Sequence, residues 1–150
     1  MKKLILAFLL VTSSLISKSQ KASDDKQAIV MLKTFYTAYM SVFSGTADAH
    51  KFESSLNGLR NKYLTVKCKN QFRKLVEDTD ADPIIQGQDS DAKWAKTLSI
   101  KQDANKPNVY AVSYYYDELG ENQKYHKTTV TIKLSVIKVN GGFKVDKILW

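Results

Sequence analysis

The spacing of the apolar residues changes once along this chain, near Trp94, and no other feature restricts the fold as much. Before that point Ile29, Leu32, Phe35, Tyr36, Tyr39, Met40 and Phe43 recur at the spacing of one helix face. Beyond it the period is two. Leu98 and Ile100 alternate with Thr97 and Ser99; Tyr110, Val112, Tyr114 and Tyr116 alternate with Val109, Ala111, Ser113 and Tyr115. Val130, Ile132, Leu134 and Val136 alternate with Thr129, Thr131, Lys133 and Ser135, and Phe143, Val145 and Leu149 close the series. A helical half followed by a strand-rich half predicts an α+β fold. Three N-terminal helices pack on one face of a curved four-stranded antiparallel sheet, and the other face is more polar.

Local signals place the boundaries. Ser23, Asp24 and Asp25 supply capping oxygens for the first helix, with Gln27 three residues after Asp24, and Gly45 ends it. A second helix runs from about Ala47 to Leu59 with Phe52, Leu56 and Leu59 inward. Thr65 caps a third that carries Cys68, Phe72, Leu75 and Val76 on one side. Residues 77–91 are polar, contain Pro83 and Gly87, and lack periodicity, yet Ile84 and Ile85 pin part of the segment to the core. The strand connectors are Asn105 to Asn108, Asp117 to Asn122 around Gly120, and Asn140-Gly141-Gly142.

The N-terminus reads as a secretory leader. Lys2 and Lys3 precede an apolar run from Leu4 to Ile16, and Ser17-Lys18-Ser19 offers small residues for cleavage before Gln20. Residues 1–19 are therefore expected to be a signal peptide and residues 20–150 a single α+β domain, periplasmic or secreted. The apolar run is shorter than the roughly 20 residues a membrane-spanning helix needs, and no transmembrane segment is expected. Cys68 is the one cysteine, which excludes an intrachain disulfide, and its apolar neighbours predict a buried, inert thiol. Formal charge is +8, and loss of Lys2, Lys3 and Lys18 with the leader leaves about +5. Export and the lack of a basic stripe interleaved with aromatics argue against nucleic acid as a partner.

The order of elements resembles the nuclear-transport-factor-2-like, or cystatin-like, α+β cone superfamily. The residues that carry the resemblance are FYTAYMSVF (35–43), LRNKYLTVKCKNQF (59–72) and the terminal GGFKVDKILW (141–150). DTDADPIIQGQDSD (78–91) is similar to an acidic loop in a family of small exported bacterial proteins of unknown function within that superfamily. The resemblance implies a sheet that wraps the first helix and encloses a pocket. It covers enzymes of the ketosteroid-isomerase and dehydratase kind as well as non-catalytic binders, so it leaves function open.

Two groups of residues are candidates for ligand binding. Asp78, Asp80 and Asp82 alternate as at the start of a calcium loop, with Asp89 and Asp91 further on. Pro83 stands where such a loop needs glycine, however, and the distal glutamate is missing, so the segment reads as a solvated loop or a recognition loop, with no metal expected. Tyr114 and Tyr116 share a strand face, Tyr36 and Tyr39 lie on the helix that faces it, and Trp94 is nearby; such rings can line a pocket by stacking and hydrogen bonding. Arg60, Lys62, Lys67, Lys69, Arg73 and Lys74 are expected to decorate the outer face of the third helix. His50 and His126 read as surface residues. No nucleophile motif or phosphate loop is present, no catalytic residue is assigned, and no cofactor is expected.

The sequence thus predicts an exported, non-catalytic module that binds a small molecule or an envelope protein, with an inhibitor or immunity type of protein as one version and a homodimer left open. The alternative is a cavity enzyme of the isomerase or dehydratase kind. A deep pocket with an ionisable carboxyl beside a tyrosine would favour the enzyme, and an interior filled by aromatics with an exposed loop rim would favour the binder. Changing Asp78, Asp80 and Asp82 to Asn is expected to weaken binding with little loss of stability.

Overall fold

The computed structural model describes residues 2–45, 48–119 and 124–149, with side chains from residue 22 onward. The Gly120 turn, Ala47, Trp150 and the side chains of the expected leader lie outside the described residues. Three helices, α1 (Lys2–Phe43), α2 (Ala49–Tyr63) and α3 (Val66–Thr79), precede four strands, β1 (Ser99–Gln102), β2 (Val109–Leu119), β3 (Tyr125–Val139) and β4 (Gly142–Leu149). The strands form one antiparallel sheet in the order β1-β2-β3-β4. This is the predicted α+β plan.

Helix α1 does not begin at the predicted cap. It runs unbroken from Lys2, and Ser23, Asp24 and Asp25 lie inside it. No Gly or Pro occurs between Lys2 and Phe43, so nothing in that stretch stops a helix from propagating. Gln27 Nε2 donates to Ser23 Oγ at 3.2 Å, while Asp24 pairs with Lys138 Nζ at 2.8 Å and Asp25 accepts from Tyr110 Oη at 3.2 Å. The two aspartates tie α1 to the sheet. Helix α2 is capped by Asp48, whose carboxylate accepts from the amides of His50 and Lys51, and it runs past the predicted end at Leu59 to Tyr63. Thr65 caps α3 as predicted, its Oγ1 accepting from Cys68 N at 3.1 Å.

The core lies between the helices and the inner sheet face. Ala28, Leu32, Phe35, Tyr36, Tyr39 and Met40 from α1 are fully buried against Tyr110, Val112 and Tyr114 of β2 and Ile132, Leu134 and Val136 of β3. Two strand predictions need correction. Trp94–Thr97 form a 3-10 turn rather than the start of a strand, held by Lys96 N donating to Lys93 O at 3.2 Å and Leu98 N to Ala95 O at 3.4 Å. On β4 the buried residues are Val145 and Ile148, not Val145 and Leu149. The register slips between Ser135 and Val136, so Asp146 has no opposite residue and the alternation restarts one position later. The bulged Asp146 turns to α3, where its carboxylate accepts from Thr65 Oγ1 at 3.1 Å and Lys67 Nζ at 2.6 Å. Gln71 then clamps the exposed edge of β4, donating to Ile148 O at 2.7 Å and accepting from Ile148 N at 3.0 Å. The β3–β4 turn falls at the predicted Asn140-Gly141-Gly142, with Gly142 already in β4 and Asn140 and Gly141 both at positive φ (51° and 80°), which a two-residue hairpin of this twist requires.

Candidate functional site

The helix layer and the loop after α3 supply a polar cluster. Tyr39 comes from α1, and Glu53 and Arg60, seven residues or two helical turns apart, come from one side of α2. Asp82 comes from the loop after α3. That loop is folded tightly: Asp82 N donates to Gly87 O at 2.9 Å, Gly87 N returns to Asp82 O at 3.4 Å, and Gln86 sits at φ 49°. The fold of the loop drives Ile84 and Ile85 into the core, as their sequence position predicted, and Tyr114 Oη of β2 donates to Ile85 O. A strand hydroxyl thus holds the loop that holds Asp82.

Asp82 is fully engaged. Its Oδ1 accepts from Ile84 N at 2.8 Å, and its Oδ2 accepts from Tyr39 Oη at 2.5 Å and from an Arg60 terminal nitrogen at 3.2 Å. Arg60 Nε donates to Tyr39 Oη at 2.9 Å, and its other terminal nitrogen donates to Glu53 Oε1 at 3.0 Å and Asn57 Oδ1 at 3.3 Å. The guanidinium also lies 4.3 Å from the centre of the Phe72 ring. Arg60 and Asp82 side chains are only 12% and 13% exposed. Burial raises the Asp82 carboxyl above its usual range, outweighing the hydrogen bonds from Tyr39, Ile84 and Arg60 that favour the carboxylate. Burial likewise raises the Tyr39 phenol, with Asp82 adding to the effect, so this hydroxyl stays protonated and serves as a donor.

Glu53, Arg60 and Asp82 of this cluster line a groove of about 780 Å³ between α2, α3 and residues 80–88, and Tyr39 holds Arg60 and Asp82 from the core. Phe43, Phe52, Leu56, Phe72 and Val76 supply an apolar floor, and Phe43 packs edge-on against Phe52 at 5.1 Å between ring centres. Lys69, Arg73, Glu77 and Asp80 stand at its rim. A rigid polar base, an apolar floor and a charged rim suit reversible binding of a ligand with both apolar and charged parts.

The nine candidate residues separate sharply. Asp82 lines the groove and Asp80 reaches its rim, whereas Tyr39 is buried in the core and touches the site only through its hydrogen bonds to Asp82 and Arg60. Tyr36 and Tyr114 are 0% and 1% exposed and fill the space between α1 and the sheet. Among the described residues the Tyr36 hydroxyl has no hydrogen-bond partner, and burial raises its pKa well above the usual phenol value. Trp94 stacks on Tyr114 with ring centres 5.8 Å apart and leans on Tyr116 at 5.5 Å, extending the same filled interior. Asp78 and Asp89 are exposed, and Asp89 accepts from the Ser90 amide at 2.7 Å. The three alternating aspartates do not converge, because Asp80 occupies the left-handed C-cap of α3 at φ 52° and Asp82 turns inward to Arg60. Among the described residues no three His, Cys, Asp or Glu side chains are grouped to hold a metal ion.

The basic group expected on the outer face of the third helix divides: Arg60 and Lys62 belong to α2, Lys69 and Arg73 of α3 line the groove, and Arg60 is the member whose role was missed. It points inward. The signal was available: Arg60 lies four residues after Leu56 and eight after Phe52, on the apolar stripe of its helix. Cys68, by contrast, is fully buried as expected, with burial pushing its thiol up to about 12.

No family model matches the chain, and no curated protein matches it. A solved structure does: the crystal structure of a protein of unknown function from Bacteroides thetaiotaomicron is 29% identical in sequence. The match covers 93% of this chain and 99% of that one, with a TM-score of 0.76. The two therefore share the three-helix, four-strand α+β architecture over nearly their whole length.

Proposed function

We propose that this chain is an exported, non-catalytic binding module of the bacterial envelope, built on the cystatin-like cone, and that its ligand or protein partner is taken in the groove between α2 and α3. The observation that carries this reading is where space is left. Tyr36, Tyr39 and Tyr114 occupy the interior between α1 and the sheet, whereas the groove on the helix side is open, apolar-floored and rimmed by charge. An inhibitor or immunity protein that blocks an envelope enzyme fits such a face. Support for export comes from the leader-type pattern of Lys2, Lys3, the Leu4–Ile16 run and Ser17-Lys18-Ser19. Among the described residues no helix is long and apolar enough to cross a membrane.

One observation favours a cavity enzyme instead: a carboxyl whose pKa is raised by burial, Asp82, lies against a tyrosine at the base of the groove. Both Asp82 oxygens are already occupied by Ile84, Tyr39 and Arg60, however, which leaves the carboxylate as a positioning group and makes binding the preferred reading.

Thermal melts of the full chain against envelope metabolites, glycan fragments and peptides test the groove, with Asn57→Trp as a variant that fills it from an exposed position. A ligand at a hundred times its Kd raises the melting temperature by roughly 5–10 °C, and the variant is expected to lose that rise. Equal stabilisation of both proteins would move the binding face elsewhere. Mass spectrometry of protein made in bacteria tests export, which predicts a mature chain that starts at Gln20.

A further inference from the structure

The groove-facing side of α3 changes sign along its length. Lys69, Phe72, Arg73, Val76 and Glu77 all line the groove, at the spacing of a single helical stripe. The two cations come first and the acid last, and Asp80 continues the acidic end beyond the helix. Among the described residues none of these four charges has an oppositely charged partner. Lys69 Nζ donates to Asn61 Oδ1 at 2.6 Å and Arg73 to Asn70 Oδ1 at 2.7 Å, but among the described residues neither has a carboxylate within 4.0 Å. Glu77 and Asp80 likewise have no cation, and Gln88 reaches only the backbone carbonyl of Asp80. Arg73 and Glu77 have the i,i+4 spacing at which a helix pairs opposite charges, yet they remain apart. The groove therefore has a free positive pole and a free negative pole, with the apolar floor between them.

Resting on the reading of this groove as the binding face, we propose that its occupant is a short extended peptide segment. That segment carries an acidic side chain for Lys69 and Arg73, a basic side chain for Glu77 and Asp80, and apolar side chains between. The spacing selects this class. Eight residues of helix separate Lys69 from Glu77, about 12 Å at 1.5 Å per residue. The adjacent charges of a single amino-acid zwitterion are too close together to reach both poles. An extended peptide advances roughly 3.3 Å per residue, so charges about four residues apart match the span. A polyanion would meet Glu77 and Asp80, and a polycation would meet Lys69 and Arg73. The volume of about 780 Å³ suits a segment of a few residues, with Phe52, Leu56 and Phe72 receiving an aromatic or aliphatic anchor.

The test is calorimetric titration of the full chain with three capped pentapeptides of sequence X-Phe-Leu-Ala-Z. The end residues X and Z are Asp and Lys, Lys and Lys, or Asn and Gln. The Asp/Lys peptide is expected to bind about five-fold tighter than the neutral one, as two exposed ion pairs would give. Lys69→Glu with Arg73→Glu should turn the preference towards the Lys/Lys peptide, and Glu77→Lys, a separate change at an exposed site, should erase the preference for Asp/Lys. Equal binding of the charged and neutral peptides, no binding of any of them, or an unchanged preference in the variants would each overturn the proposal. The groove reading fails on a different result, ligand stabilisation that survives Asn57→Trp.

Discussion

Replacing Arg60 by Met removes the cation that faces Asp82 while keeping most of the apolar length of the side chain. The carboxylate left behind is 13% exposed. Removing one partner of a buried ion pair typically costs 3–5 kcal/mol, because the other charge stays desolvated and unpaired. Asp82 keeps its bonds from Tyr39 Oη and Ile84 N, which places the expected cost at the lower end, about 3 kcal/mol at pH 7. For a chain of this size that corresponds to a fall of roughly 6–12 °C in melting temperature. The pH dependence gives a second, more specific reading. Burial already raises the folded-state pKa of Asp82 above the unfolded value. The stability contributed by its proton is therefore complete below the unfolded value and is lost as pH rises through the folded one. Loss of Arg60 raises the folded value further. Between the parent and variant values the parent is ionised and the variant protonated, so the cost of the substitution shrinks as pH falls, by up to about 1.4 kcal/mol per pH unit. Urea unfolding of both proteins at several pH values between 4 and 7 measures this directly. A cost below about 1 kcal/mol at pH 7, the range of an exposed pair, or a cost that does not change with pH, would refute the reasoning.

Three further outcomes follow from the same contacts. The combined change Asp78→Asn and Asp80→Asn should shift stability by no more than about 0.5 kcal/mol in urea unfolding, whereas Asp82→Asn should cost about 1–3 kcal/mol through its buried partners. Asp146 is held below the usual carboxylate range, first by the hydrogen bond from Lys67 and then by Thr65. Its contribution is present above the unfolded value and lost as pH falls through the folded one, so Asp146→Asn should destabilise at pH 7 and cost progressively less below pH 4, near the unfolded value. The Cys68 thiol, fully buried and pushed up to about 12, should react with a disulfide reagent at pH 8 only after urea unfolds the chain; prompt reaction of the folded protein would contradict its placement.

Much of the fold was legible because it rests on local chemistry. Thr65 caps α3 with its own hydroxyl, Asn140-Gly141 tolerates the positive φ of a tight hairpin, and the alternation in β2 and β3 follows from one buried face. The bulge at Asp146 was not legible, since it depends on Thr65 and Lys67, about 80 residues away in sequence, drawing the carboxylate out of register. The same limit governed the site. The acidic loop drew attention as a set of alternating aspartates, but only Asp82 joins the buried cluster while Asp80 stays at the groove rim, and what selects Asp82 is the tertiary position of Arg60 and Tyr39. The tyrosines drew attention as pocket walls, yet Tyr36 and Tyr114 became core, because a large ring with one hydroxyl satisfies either role from sequence alone. The contacts of Asp82 therefore predict a stability cost for its substitution that the exposed Asp78 and Asp80 do not carry.

The most direct test of the account is amide and methyl NMR mapping of the full chain with any ligand that raises its melting temperature. The account predicts shift changes concentrated at Phe52, Leu56, Arg60, Phe72 and Val76, with Tyr36, Tyr114 and the outer sheet face unchanged. Changes centred on Tyr36, Tyr114 and Trp94 would place the ligand between α1 and the sheet and contradict the groove as the binding face.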